Sequence, residues 1–111
     1  MRPDPYGFVK LTQAGVKDDF AQDLTATEQA VIFVTQAPTA AAALGGNVSA
    51  PAWRAKPSWY LVATHDRAIQ PDLERRMARA IKAMTIEVEA SHAAILARPD
   101  ETAALIVEAC A

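Results

Sequence analysis

Cysteine is almost missing from this sequence: Cys110 is the only one in 111 residues. A single thiol closes no internal disulfide, and with only His65 and His92 beside it the chain has too few ligands for a thiolate zinc cage. A reducing cytoplasm is the expected compartment. Aromatic residues are scarce at 6% although hydrophobic residues reach 51%, because alanine inflates the total. Alanine buries little area, so a thin core is expected. No apolar run exceeds five residues, far below the roughly 20 that cross a bilayer. The opening Met1-Arg2-Pro3-Asp4-Pro5 also lacks the apolar stretch of a secretory leader. Charge of one sign is missing too. Eleven Lys and Arg stand against 13 Asp and Glu, spread along the chain, so no basic face offers itself to nucleic acid or to an anionic membrane. The length leaves room for one small domain or a piece of a larger one, and excludes two complete domains.

What is present divides into two halves. Residues 1–57 hold all four glycines and five of the seven prolines, a composition of turns and short helices. Thr25-Ala26-Thr27-Glu28 has the spacing of a capping box and predicts a helix from about Ala26 to Gln36. Pro38 is placed to open a second short helix through Ala40 to Leu44, ended by Gly45-Gly46. The second half is more regular. Ser58 to Thr64 is a compact apolar run with aromatic and β-branched residues, which predicts a buried strand. Pro71, Asp72 and Glu74 then open a helix that places Leu73, Met77, Ala80 and Ile81 on one face. Thr85 to Glu89 alternates as a second strand, and Pro99-Asp100-Glu101 opens a final helix with Leu105, Ile106 and Ala109 towards the core. Strand, helix, strand, helix implies two parallel strands joined by a right-handed crossover.

In open parallel sheets, functional groups gather beyond the carboxyl ends of the strands. Asp66 follows the first strand and His92 the second. On neighbouring strands, their exit loops bring a carboxylate and an imidazole to one sheet edge, within about 4 Å of each other. That is the acid and base of a catalytic triad, the carboxylate fixing the tautomer of the imidazole that takes a proton from a nucleophile. Spacing alone leaves blander roles open. An Asp in such a loop also serves as a turn or capping residue, and a lone His as a surface or structural one. His65, beside Asp66, reads as a surface residue.

The local sequence adds a resemblance. The stretch Ser58-Trp59-Tyr60-Leu61-Val62-Ala63-Thr64-His65-Asp66-Arg67-Ala68-Ile69-Gln70-Pro71, followed by Ser91-His92-Ala93-Ala94-Ile95-Leu96-Ala97-Arg98-Pro99, resembles the carboxyl-terminal part of α/β-hydrolase family proteins, most closely the esterase and hydroxynitrile-lyase branch. In that branch the acid belongs to an Asp-x-x-Ile/Phe-x-Pro stretch, which falls on Asp66 with Ile69 and Pro71 in place. The base belongs to a Ser/Asp-His loop, which falls on His92. Tyr6-Gly7-Phe8-Val9 and Asp18-Asp19-Phe20-Ala21-Gln22-Asp23 resemble the helical cap, and Pro51-Ala52-Trp53 the return into the core. The branch's lyases carry a Lys directly after the catalytic His; Ala93 stands there instead, which favours ester or amide hydrolysis.

The resemblance implies an α/β fold: the carboxyl-terminal part of an α/β-hydrolase (51–111), preceded by a helical cap segment (1–50). It implies a serine-esterase chemistry with catalytic Asp66 and His92, no cofactor and no metal. One component is missing. No Gly-x-Ser-x-Gly elbow occurs, and Ser49, Ser58, Ser91 and Cys110 are poor substitutes by position. A truncated hydrolase, inactive alone, is therefore expected. Met1 is then an internal start, the start of a truncated gene or the edge of a fragmentary record, and the sequence leaves the three open. The expected partners are a small apolar ester once the enzyme is completed, and a second chain supplying the nucleophile half or another copy of this chain. Two alternatives stand beside this: a noncatalytic remnant that binds a ligand or partner through an uncovered apolar surface, and one chain of a split hydrolase.

Overall fold

The computed structural model describes residues 3–111; Met1 and Arg2, where that start falls, lie outside them. In chain order the elements are β1 (Phe8–Val9), α1 (Gln13–Gly15), a π-helical turn (Val16–Phe20), α2 (Ala26–Thr35), β2 (Thr39–Ala40), 3-10 turns at Ala41–Gly45 and Ala52–Arg54, β3 (Trp59–Ala63), α3 (Pro71–Ala80), β4 (Met84–Val88), α4 (Ala94–Ala97) and α5 (Pro99–Cys110).

The regular half follows the expected order. β3 and β4 pair in parallel, with Trp59 opposite Met84 and Ala63 opposite Val88. The pairing continues past both strand ends, where Thr64 N–H donates to Val88 O at 2.9 Å and His65 N–H to Ala90 O at 3.1 Å. Two exit loops therefore leave the sheet side by side. Across the ladder, Arg75 of α3 grips Glu87 of β4 through two contacts of 2.8 and 2.7 Å and reaches Asp72 at 2.8 Å. Water screens this exposed network, so it orients α3 more than it stabilises the fold.

Three expectations need correction. Pro38 does not open a helix: Thr39–Ala40 instead pairs antiparallel with Phe8–Val9, and a 3-10 turn follows with Gly45 inside it. The Gln36 side chain lengthens that small ladder, accepting from Leu11 N–H at 2.7 Å and donating to Leu11 O at 3.0 Å. A strand partner 30 residues away is a tertiary feature that local spacing does not carry. The α3 face is also turned. Glu74 and Ala78 are its buried residues, while Leu73 is 40% exposed and Ala80 exposed. Small Ala78 and one polar residue fit the close approach to β3 where a Leu does not. The expected core face of α5 is open as well: Leu105 is half-buried, Ile106 is 55% exposed and Ala109 exposed. That helix leans on β3 but leaves a cavity of about 500 Å³ lined by Trp53, Trp59, Ile81, Leu105 and Ile106.

The helical half holds to its predicted start. Glu28 N–H donates to the Thr25 hydroxyl at 3.3 Å and Thr25 N–H to the Glu28 carboxylate at 2.8 Å, the two arms of a capping box. The Thr25 hydroxyl, which donates to the Glu28 carboxylate at 2.6 Å, and then the Thr25 N–H hold that carboxyl below its ordinary value. A thin core is what results overall. Every buried apolar side chain among the described residues is Ala or Val, and most gather in two clusters: Ala63, Val88, Ala90 and Ala94 beside the parallel strands, and Val16, Ala21 and Ala93 between the halves. No helix of the described residues is long and apolar enough to cross a membrane.

Helix α3 closes with a Schellman-type turn, Ala83 N–H donating to Ala78 O at 2.9 Å and Lys82 N–H to Arg79 O at 3.0 Å. This forces Lys82 to φ 54°, a left-handed conformation that suits glycine. Left-handed φ costs an L-residue about 1–2 kcal/mol, and a glycine gives back about 0.4–1 kcal/mol through the freer unfolded chain. Lys82→Gly is accordingly expected to stabilise the chain by about 0.5–1 kcal/mol. Denaturant midpoints of the two proteins measure it, and an unchanged or lower midpoint for the variant counts against the strain.

Candidate active site

Asp66 reaches its place through the turn that ends β3. Its Oδ1 accepts from Ala68 N–H at 2.7 Å and Ile69 N–H at 2.9 Å, an Asx-type turn that holds the carboxylate inward at 4% exposure. Its other oxygen, Oδ2, meets His92 Nδ1 at 2.6 Å. The two residues singled out from sequence thus come together at one sheet edge. The capping role and the pairing role coexist in Asp66, one on each oxygen.

His92 stands on the loop after β4, and that loop is held by the helical half. Ala93 N–H donates to Phe20 O at 3.1 Å, and Ser91 N–H to Asp23 Oδ2 at 2.7 Å. The neighbouring loop is held from the same segment: Gln22 Nε2 donates to His65 O at 2.6 Å and Arg67 to Asp18 O at 2.9 Å. Phe20 covers one side of the imidazole, the ring centroids 4.9 Å apart and tilted by 54°. The π-helical turn and the residues after it therefore clamp both loops and wall the site, which sequence spacing did not signal.

With Nδ1 engaged, Nε2 is the nitrogen left for exchange with a ligand. The His92 side chain is 32% exposed and lines a cavity of about 610 Å³ together with Val9, Leu11, Phe20, Leu44 and Ile69. Its size falls among ligand pockets of roughly 300–1,000 Å³, and its walls are mostly apolar. Lys10, Gln36 and Thr39 are the polar residues on the same lining.

Glu74 is the site residue that sequence reading missed. It was expected only to favour the helix start, yet it is 5% exposed, and its Oε2 accepts from Ala63 N–H at 2.9 Å. One oxygen of Glu74, one of Asp66 and one nitrogen of His92 all lie within 4.8 Å of one another. Burial pushes the Glu74 carboxyl up; the Ala63 N–H opposes this, and the charge of Asp66 and a hydrogen bond to it push further up. The only sequence signal was its place four residues before Ala78, on the stripe of α3 that faces β3. Three such groups are also a spacing at which a cation could be held. Here Asp66 Oδ2 and His92 Nδ1 are bonded to each other and Glu74 Oε2 to the backbone.

The other candidates fall away from His92. Ser58 precedes β3, at the end opposite Asp66; Ser49 is exposed, and Cys110 is exposed at the end of α5. Ser91 is fully buried, its hydroxyl accepting from Ala93 N–H at 3.2 Å. His65 is exposed, and only its backbone takes part in the site.

A family model described as alpha/beta hydrolase family matches residues 2–105. No curated protein and no solved structure matches the chain.

A carboxyl raised in the folded state binds its proton more tightly there than in the unfolded chain. Its contribution is complete below the unfolded titration and is lost as pH rises through the folded one. Stability of the natural protein relative to Glu74→Gln should therefore fall as pH rises above the ordinary carboxylate range. Denaturation midpoints of both proteins through and above that range check it; a difference independent of pH would show that Glu74 titrates normally.

Proposed function

This chain belongs to the alpha/beta hydrolase family, and on that premise we propose that it carries the acid and base of a Ser-His-Asp carboxylic ester hydrolase, with the nucleophile supplied from outside its 111 residues. The observation that supports this most is the 2.6 Å contact between Asp66 Oδ2 and His92 Nδ1, at the carboxyl edge of two paired parallel strands and facing an apolar cavity. Residues 1–50 serve as the cap segment and 51–111 as part of the catalytic core. The lone exposed thiol of Cys110 suits a cytoplasmic setting.

In this reading, His92 Nε2 takes the proton of a serine hydroxyl as the oxygen attacks the ester carbonyl. The proton then passes to the departing alcohol oxygen as the acyl-serine forms. Water repeats the sequence on the acyl-serine: His92 accepts its proton, the acid is released, and the serine is restored. Asp66, buried and tied down by two backbone N–H groups, keeps the proton of neutral His92 on Nδ1 and stabilises the imidazolium. Oxyanion donors, like the serine, come from the other half of such a fold. The apolar walls suit a small apolar ester. Ala93 supports hydrolysis over cyanohydrin cleavage on structural grounds: its side chain is packed against Val16 and Ala21 at 4% exposure, where a Lys ammonium would be buried.

A second reading rests on the open apolar face around Trp53, which is 47% exposed, and Ile106, 55% exposed. Those residues suit docking of the nucleophile half in a split hydrolase, or of another copy of the chain. In a noncatalytic protein, the same face would bind a partner.

Alone, the chain is expected to hydrolyse activated esters no faster than its His92→Ala variant. A burst of acylation, or label on Ser91 or Cys110, would overturn that. Completed by the amino-terminal half of a relative, fused or co-expressed, it should become a serine esterase. His92→Ala, or loss of the supplied serine, should then each cost several powers of ten, and both together little more. Asp66→Asn should cost about 10⁴ in kcat by favouring the wrong tautomer. A completed protein that folds and binds acyl ligand without turnover would favour the noncatalytic reading.

A further inference from the structure

Glu74 has no task in the acid–base scheme, yet it is buried against both members of the pair. Two carboxylates within 4.8 Å, shielded from water, repel strongly when both are ionised. The guanidiniums next to the two residues in the chain offer no relief, since Arg75 is bonded to Glu87 and Asp72 and Arg67 to Asp18 O. The Asp66 side chain accepts from Ala68 N–H, Ile69 N–H and, in the tautomer a triad needs, His92 Nδ1–H. A proton held between the two carboxyls therefore belongs on Glu74.

We propose that Glu74 is a positioning residue for the Asp66–His92 pair: as a neutral acid it donates to Asp66 from one carboxyl oxygen while the other accepts from Ala63 N–H. One proton then ties the end of β3, the Asp66 turn and the first turn of α3 together, and stops the Asp66 carboxylate from rotating away from His92. The inference rests on reading Asp66 and His92 as acid and base. The ionisable groups facing Glu74 are Asp66 from the loop after β3, His92 from the loop after β4, and Tyr60 from β3 itself. Tyr60 is raised above its ordinary value by burial and then by the charges of Glu74 and Asp66, so it stays a neutral phenol through the relevant range.

The test is NMR of the His92 ring in the full chain, followed by pH titration and by ring-nitrogen shifts. In the natural protein the ring signals should move in two steps that belong to the coupled groups together, because interacting sites titrate jointly. Glu74→Gln should leave one step. An amide still donates to Asp66 and accepts from Ala63 N–H, so above the ring's titration Glu74→Gln should keep the hydrogen-bonded Nδ1–H tautomer. Glu74→Ala should mix in the Nε2–H form. Rescue by Gln of what Ala loses supports positioning. A single step in the natural protein, or equal disturbance by Gln and Ala, overturns it. If Glu74→Ala fails to fold, the titrations of the natural protein and Glu74→Gln decide the question. Failure of the acid–base reading looks different: the completed enzyme would be inactive while these ring signals remained intact.

Discussion

The parallel ladder between β3 and β4 is the constraint on which the rest depends. Its bonds run in register from Trp59–Met84 to Ala63–Val88 and continue into the exits through Thr64 and His65. Because pairing persists beyond the strands, the loops that follow have little freedom to diverge. The Asx turn of Asp66 then needs only local geometry to present one oxygen to its neighbour. A slip of one residue would turn Val88 and Ala63 to the opposite faces and separate the loop ends, so the apolar pattern that sets the register also sets the site.

The helical half completes what the ladder begins. The Val16, Ala21 and Ala93 cluster joins the halves directly below the His92 loop, and Phe20 stands over the imidazole. Backbone and side-chain bonds from residues 18 to 23 reach both loops, so the segment that walls the cavity also fixes its chemistry. One cost is visible. Gln22 uses its amide nitrogen on His65 O and leaves Oε1 buried without a partner, a loss of about 1–3 kcal/mol. The segment is seated by these polar ties together with the packing of Leu11, Phe20, Leu24 and Ile32 against the Val16, Ala21 and Ala93 cluster.

Most charged side chains of the described residues face water, and two carboxyls do not. Asp66 and Glu74 are the buried carboxyls among the described residues, and they face one imidazole. Removing charge from water is unfavourable unless partners replace the lost solvation: Asp66 has two backbone N–H groups for that, and the proton proposed on Glu74 spares the site a second charge. The exposed ion pairs of Arg75 behave differently, strong in geometry and weak in effect.

Much of this was legible in the sequence because it depends on local chemistry. The Thr25 capping box, the apolar run of the first strand, Pro71 at a helix start, and the places of Asp66 and His92 after consecutive strands are all short-range patterns. The missing Gly-x-Ser-x-Gly motif is likewise a property of the sequence alone. What only the tertiary structure decided involves residues distant in the chain. The pairing of Thr39–Ala40 with Phe8–Val9, the π-helical clamp and the rotation of α3 each depend on a partner that no local window contains. Glu74 is the clearest case. Its sequence position fits a charge at a helix start, where water would solvate it, and only the close approach of α3 to β3 turns it inward against Ala63 and Asp66.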